Sequence, residues 1–139
     1  ILVHGLESSG VIRAMAEKLL QATEGNKSVT VLAILWGSAT LSAFIDNIPF
    51  VATMIPLIKS MAPAMGGEQA LMPLWWALSL GACLGGNGTL IGASANLVVA
   101  GLAERAGHPI RFVPYLKSCF GLMLISIVVC HVYIYFRYL

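Results

Sequence analysis

Asp46 has the clearest chemical potential in this sequence, because it stands between two apolar stretches and is the only acidic residue between Glu24 and Glu68. A carboxylate at membrane depth costs at least ~2.5 kcal/mol on insertion scales, so it is rarely kept without a partner or a use. Such a group can bind Na⁺ directly or carry a proton, and Asn47 adds a neutral acceptor and donors. The alternative is an aspartate outside the bilayer that caps a helix beginning near Pro49. Asp46 can bind an ion and cap a helix at the same time, since a cap at the start of a half-helix also builds an ion site.

A second group of candidate residues surrounds a glycine-rich interruption. The apolar segment 70–103 is broken at residues 85–89 (GGNGT) and carries Ser94 and Asn96 further on. Glycines remove helix propensity and side-chain cover, so this stretch exposes backbone carbonyls and amides. Unwound carbonyls suit sodium, and the positive N-terminal end of a helix attracts anions. The predicted ion- or substrate-binding residues are Asp46, Asn47, Asn87, Gly88, Thr89, Ser94 and Asn96, and the predicted hinge or unwound residues are Gly85, Gly86, Gly88 and Gly92.

The same glycines have a second interpretation as packing residues. Gly81 with Gly85, and Gly88 with Gly92, are pairs of small residues four apart, which let membrane helices approach closely. A phosphate-binding loop is disfavoured, because no lysine follows the glycines as a Walker-type loop requires.

The composition is that of an integral membrane protein. Of the 139 residues, 58% are hydrophobic and 10% are charged, whereas soluble domains carry roughly 25% charged residues. The net charge of +2 is too small for a nucleic-acid footprint. The three cysteines show no metal-type spacing, and the apolar segments contain no nucleophile–base pair. We therefore predict that the chain is not an enzyme and uses no cofactor besides a transported Na⁺ or H⁺.

The hydrophobic pattern predicts an all-α polytopic membrane protein. Residues 29–45 form an apolar run of about 17 residues, at the lower limit for crossing a bilayer. The next apolar arm, 48–58, reaches roughly 16 Å, about half a bilayer, so the two arms predict a re-entrant hairpin that turns at Asp46. Residues 118–136 form the plainest spanning helix. The predicted segments are 1–28, the end of a membrane helix plus an amphipathic helix; 29–58, the re-entrant hairpin; 59–69, a loop; 70–103, a broken transmembrane helix; 104–117, a basic loop; and 118–139, a C-terminal transmembrane helix.

Three stretches carry a resemblance to a known family. Residues 42–50 (SAFIDNIPF), 53–56 (TMIP) and 81–96 (GACLGGNGTLIGASAN) resemble the melanosomal P protein-like branch of the ion transporter superfamily. That superfamily includes arsenite pumps, D-type sodium/proton antiporters, and citrate and dicarboxylate carriers. The match is dense from about residue 41 to residue 102 and looser in the flanks.

The resemblance implies two inverted repeats, each with a re-entrant hairpin and a helix unwound in mid-membrane, and a substrate site between them. Asp46 and Asn47 match the hairpin tip, and residues 85–96 match the unwound helix. We expect the chain to be the C-terminal repeat of a longer protein. Its expected partners are the lipid bilayer, the N-terminal repeat of the same transporter and a second copy in a homodimer.

The predicted function is ion-coupled secondary transport by alternating access, with sodium or protons exchanged at Asp46. The substrate is expected to be a small inorganic ion or an organic anion. The alternatives from the same superfamily are a passive anion channel and an organic-acid carrier. A purely structural membrane subunit is a further alternative, and it would tolerate Asp46→Leu.

Overall fold

The structure, a computed structural model, describes residues 11–139, and its regular structure there is entirely helical, without a β-strand. The membrane-helix end predicted at the start of segment 1–28 lies outside the described residues. The helices are α1 (Val11–Ala22), α2 (Lys27–Ser42), α3 (Asn47–Ser60), α4 (Ala62–Met65), α5 (Met72–Gly85), α6 (Ser94–Arg105) and α7 (Phe112–Tyr138), with 3₁₀ turns at Glu68–Leu71 and Gly86–Gly88.

Helix α7 is, within residues 11–139, the one helix long and apolar enough to cross a membrane. Its 27 residues reach about 40 Å at the usual rise per residue. It begins six residues before the predicted span, so the predicted basic loop 104–117 narrows to residues 106–111. Pro114 does not prevent this early start, because a proline in the first helical turn removes an N–H that has no intrahelical partner.

Helices α2 and α5 form the most extensive contact between helices in the described chain. A Cβ on Gly81 would lie 2.5 Å from the carbonyl oxygen of Leu35, and a Cβ on Gly85 would collide with the backbone of Ala39. These two glycines therefore serve close helix packing. Gly85, predicted as unwound backbone, is instead the last residue of α5 and has helical dihedral angles.

The core lies between α2, α3, α5 and α7. Its fully buried side chains include Leu35, Ile58, Leu74 and Ile127, one from each of these helices. Helix α1, the predicted amphipathic helix, packs on α3, and its Ala16 is buried in the same core. The amphipathic face of α1 is thus used, at least in part, against protein.

Residues 59–69, predicted as a loop, contain more helix than expected. Helix α3 continues through Ser60, and α4 follows after one residue. Gly66 and Gly67 end α4 because their φ angles of 93° and 105° lie in the left-handed region that favours glycine.

Two stretches outside the α-helices contain or adjoin the predicted site residues. The first, residues 43–46, connects α2 to α3 and is called the α2–α3 turn below. The second, residues 86–93, separates α5 from α6 and is called the interrupted segment. It lies where the glycine-rich sequence predicts a helix break.

Replacing Gly85 by alanine tests the close packing of α2 and α5. The added methyl would force the backbone of Ala39 away, and overpacking of this kind typically lowers the free energy of unfolding by about 1–3 kcal/mol. We expect Gly85→Ala to melt at a lower temperature than wild type in the detergent-solubilised full-length protein. Gly101→Ala is the matched control, since a Cβ there meets no atom within 4 Å. Equal melting temperatures for the two variants would contradict the packing assignment.

Candidate functional site

Thr89 joins the interrupted segment to the α2–α3 turn. Its side chain is fully buried, and its hydroxyl donates a hydrogen bond to the backbone carbonyl of Ala43. The same hydroxyl oxygen accepts a hydrogen bond from the backbone N–H of Gly92 at 3.1 Å. One threonine thus satisfies a carbonyl of the turn and an amide of the segment.

Gly92 allows the two stretches to approach closely. A Cβ at this position would lie 2.7 Å from the carbonyl oxygen of Gly86, 2.8 Å from that of Ser42 and 2.9 Å from that of Ala43. Any residue other than glycine would therefore collide with three backbone oxygens. The three carbonyls make this junction electronegative, which is the chemistry that unwound backbone offers to Na⁺ in transporters.

Asn96, in the first turn of α6, closes the interrupted segment. Its side-chain amide donates to the carbonyl oxygens of Gly86 and Thr89, both at 3.0 Å. Both amide hydrogens are thereby committed to the backbone. The remaining side-chain atom, Oδ1, is the one through which Asn96 can accept a bond from a ligand.

Ser42, which the sequence interpretation did not single out, links three helices. Its hydroxyl lies 2.8 Å from the carbonyl oxygen of Ala82 in α5 and 3.1 Å from Oδ1 of Asn47 in α3. Since a hydroxyl has one proton, the two acceptors share it. The only sequence signal that could have found it is a serine inside an apolar run, four residues before Asp46.

Asp46 occupies the N-cap position of α3, but its side chain makes no capping hydrogen bond to that helix. The residue is half-buried, as is Asn47. Capping by a carboxylate normally satisfies an N–H of the first turn. The interpretation of Asp46 as a helix cap therefore lacks the hydrogen bond that it requires.

Asn87 and Ser94 stand apart from this network, because both are exposed. The backbone carbonyl of Asn87 accepts a hydrogen bond from Tyr115 in α7, and Gly88 is buried. Of the predicted site residues, the structure therefore joins Asn47, Thr89 and Asn96, together with Gly86 and Gly92, through hydrogen bonds and close backbone contacts. It does not bring the side chains of Asn87 and Ser94 into that network.

Four helix ends meet at this junction. The C-terminal ends of α2 and α5 carry partial negative charge, and the N-terminal ends of α3 and α6 carry partial positive charge. Ser42, Thr89 and Asn96 supply the hydrogen bonds that connect them. The junction therefore offers both carbonyl oxygens and helix N-termini in an otherwise apolar chain.

Residues 1–81 match the family described as citrate transporter, CitMHS, which is more than half of the 139 residues. The chain belongs to the citrate transporter family. The resemblance to transporters that the motifs of residues 42–50 and 81–96 indicated is thereby confirmed. The prediction from composition that the chain is an integral membrane protein is confirmed as well.

Similarity to individual proteins extends past residue 81, across the interrupted segment. The chain is 44% identical over 138 residues to an uncharacterized transporter of Mycobacterium tuberculosis, covering 99% of this chain and 32% of that protein. It is 39% identical over 139 residues to the 46 kDa membrane protein of Mycobacterium leprae, covering 100% and 32%. It is 44% identical over 124 residues to the P protein of Mus musculus, covering 89% and 15%. The chain thus spans about a third of the length of its mycobacterial relatives.

Replacing Thr89 by valine tests whether this threonine holds the junction together. Valine has a similar shape but neither donates to Ala43 nor accepts from Gly92, and a buried group left without its partner costs about 1–3 kcal/mol. We expect Thr89→Val to lower the melting temperature of the full-length protein and Thr89→Ser to restore it. Thr40→Val is the control, because the Thr40 hydroxyl is exposed and bonds only within its own helix. A Thr89→Val melting temperature equal to that of Thr40→Val would contradict this role.

Proposed function

We propose that the full-length protein is an ion-coupled secondary transporter that works by alternating access, and that this chain forms its C-terminal half. The observation that carries the proposal is the meeting of four helix ends at hydrogen-bonded, irregular backbone. In transporters, half-helix ends and unwound backbone carbonyls are the groups that hold coupling ions and anionic substrates. Membership of the citrate transporter family supports transport over catalysis.

The helix lengths support a membrane arrangement with a re-entrant hairpin and a broken helix. Helices α2, α3, α5 and α6 have 16, 14, 14 and 12 residues, or about 18–24 Å each. None of them reaches the roughly 30 Å of hydrocarbon in a bilayer. We propose that residues 29–58 enter and leave on the same side, and that residues 70–103 cross with a break at the interrupted segment.

The substrate site is proposed to include residues outside this chain. We propose that this chain is one of two inverted repeats, that the N-terminal repeat faces the junction and completes the substrate site, and that the transporter is a homodimer in the bilayer. The chain's span of about a third of its mycobacterial relatives supports an arrangement in which other segments supply further contacts.

Asp46 is proposed to take the transported cation. Its carboxylate makes no capping bond to α3, and the side chain of its neighbour in sequence, Asn47, is held by Ser42. A carboxylate at membrane depth can bind Na⁺ or exchange it for a proton. Asn87, Gly88, Thr89, Ser94 and Asn96 are proposed as the ion- or substrate-binding residues on the interrupted segment and α6. Gly92 is proposed as its unwound hinge, whereas Gly86 has helical dihedral angles in the 3₁₀ turn before it.

An organic-anion carrier is the second candidate, because the matching family is described as citrate transporter. The N-terminal end of α6 would attract a carboxylate through its backbone amides and its partial positive charge. In this version Asp46 binds the coupling cation while the anion contacts α6.

Flux in proteoliposomes that contain the full-length protein tests the role of Asp46. An internal pH dye reports the response to added sodium, to added citrate with sodium, and to a potassium-diffusion potential alone. We expect a sodium-triggered pH change that Asp46→Asn reduces about tenfold or more, since a charge-assisted contact is worth about 1.5–3 kcal/mol. Glu104→Gln is the control, because Glu104 is exposed beyond the junction.

Each arm of this experiment has a different meaning. A pH change that requires citrate and sodium together would favour the organic-anion carrier. Flux that follows the potential alone and survives Asp46→Asn would establish a passive anion channel instead and leave the aspartate without a transport role. Unchanged flux and pH dependence in Asp46→Asn would overturn the cation assignment.

A further inference from the structure

The first half of α7 packs directly against the interrupted segment. A Cβ on Gly88 would lie 2.9 Å from Cε of Met123 and 3.5 Å from the ring of Phe120, with Ala43 of the α2–α3 turn also 3.5 Å away. Gly88 is therefore held between α7 and the turn. The position of the segment depends on α7 as well as on the network around Thr89.

One hydrogen bond ties the backbone of the segment to α7. The hydroxyl of Tyr115 donates to the carbonyl oxygen of Asn87 at 3.3 Å, which is long for a hydroxyl donor. Asn87 is also exposed, whereas its neighbours Gly86, Gly88 and Thr89 are all buried.

A cavity of about 200 Å³ adjoins this bond, and Asn87, Tyr115, Cys119 and Ser126 contribute its polar lining. The rest of its wall is apolar and comes from α5 and α7. The carbonyl of Asn87 thus has a partner on one side and open space beside it. If the bond to Tyr115 is lost, the backbone at Asn87 has open space on the side of this cavity.

We propose that Tyr115 is a positioning residue that holds the interrupted segment in its binding-competent conformation. Its effect on transport rests on the proposed function, whereas its hold on the segment does not. A protein whose competent state is only partly populated binds with an apparent affinity reduced by that fraction. Removing the hydroxyl therefore weakens apparent substrate affinity and leaves the maximal rate unchanged, since saturating substrate restores the competent state.

Two measurements on full-length Tyr115→Phe separate these statements. Amide hydrogen exchange over residues 86–93 reports the opening of the segment whether or not the protein transports. A neutral hydrogen bond is worth a factor of about 2–10 in an equilibrium constant, so we expect exchange there to rise by that factor. We expect KM for the transported ion to rise by up to the same factor at unchanged maximal rate per mole of protein. Tyr135→Phe is the matched control, because that tyrosine is on the same helix and is 55% exposed.

The outcomes distinguish the hold on the segment from the proposed function. Exchange over residues 86–93 that stays at the wild-type rate, or rises equally in Tyr135→Phe, would overturn the inference. A lower maximal rate with unchanged KM would overturn it too, since this is the signature of lost folded protein. Raised exchange in a protein whose wild type shows no saturable flux would support the hold by Tyr115 and overturn the transport proposal alone.

Discussion

Backbone groups that leave a helix inside an apolar environment need partners within the protein, because no water is present to replace them. Two side chains at the interrupted segment, Thr89 and Asn96, meet part of this requirement, since together they bind three carbonyl oxygens and one amide. The three carbonyls belong to Ala43, Gly86 and Thr89 itself. The same bonds fix the first turn of α6 to the interrupted segment and bring the α2–α3 turn to the break. The helix ends meet because irregular backbone has to be satisfied there.

This constraint explains the small residues at the junction. Side chains larger than hydrogen at Gly85 or Gly92 would collide with backbone atoms of α2 or of the α2–α3 turn, and the hydroxyl groups of Thr89 and Ser42 could then not reach their carbonyls. The hydrogen bonds of Thr89 and Ser42 therefore depend on the close backbone approach that the glycines allow. An electronegative set of carbonyls results. The α2–α3 turn, which supplies the Ala43 carbonyl, ends at the half-buried Asp46, whose carboxylate makes no capping bond to α3. The proposed cation site follows from satisfying the backbone at a helix break.

The sequence predicts some of this well and some not at all. The break after α5 is predictable, because three glycines within residues 85–88 cannot sustain a helix. The sequence does not predict whether Gly85 is unwound or packs against another helix, because both roles favour a residue without a side chain. The close approach of Gly85 to the backbone of Ala39 shows that it packs. Ser42 and Tyr115 escaped prediction since their partners are backbone carbonyls 40 and 28 residues away in the chain. The early start of α7 was not predicted because residues 112–117 contain a proline and a lysine, which are typical of a loop.

The central claim is that the α2–α3 turn and the interrupted segment form one ion-binding unit. A double-mutant cycle with Asn47→Ala and Asn96→Ala, read as the apparent affinity of the full-length protein for the transported ion, tests it most directly. Residues that share one network show coupling energies of about 0.5–3 kcal/mol, whereas independent sites add within about 0.3–0.5 kcal/mol. We predict that the double variant differs from the product of the two single fold-changes by at least about threefold. Fold-changes that simply multiply would show two independent stretches and contradict the account.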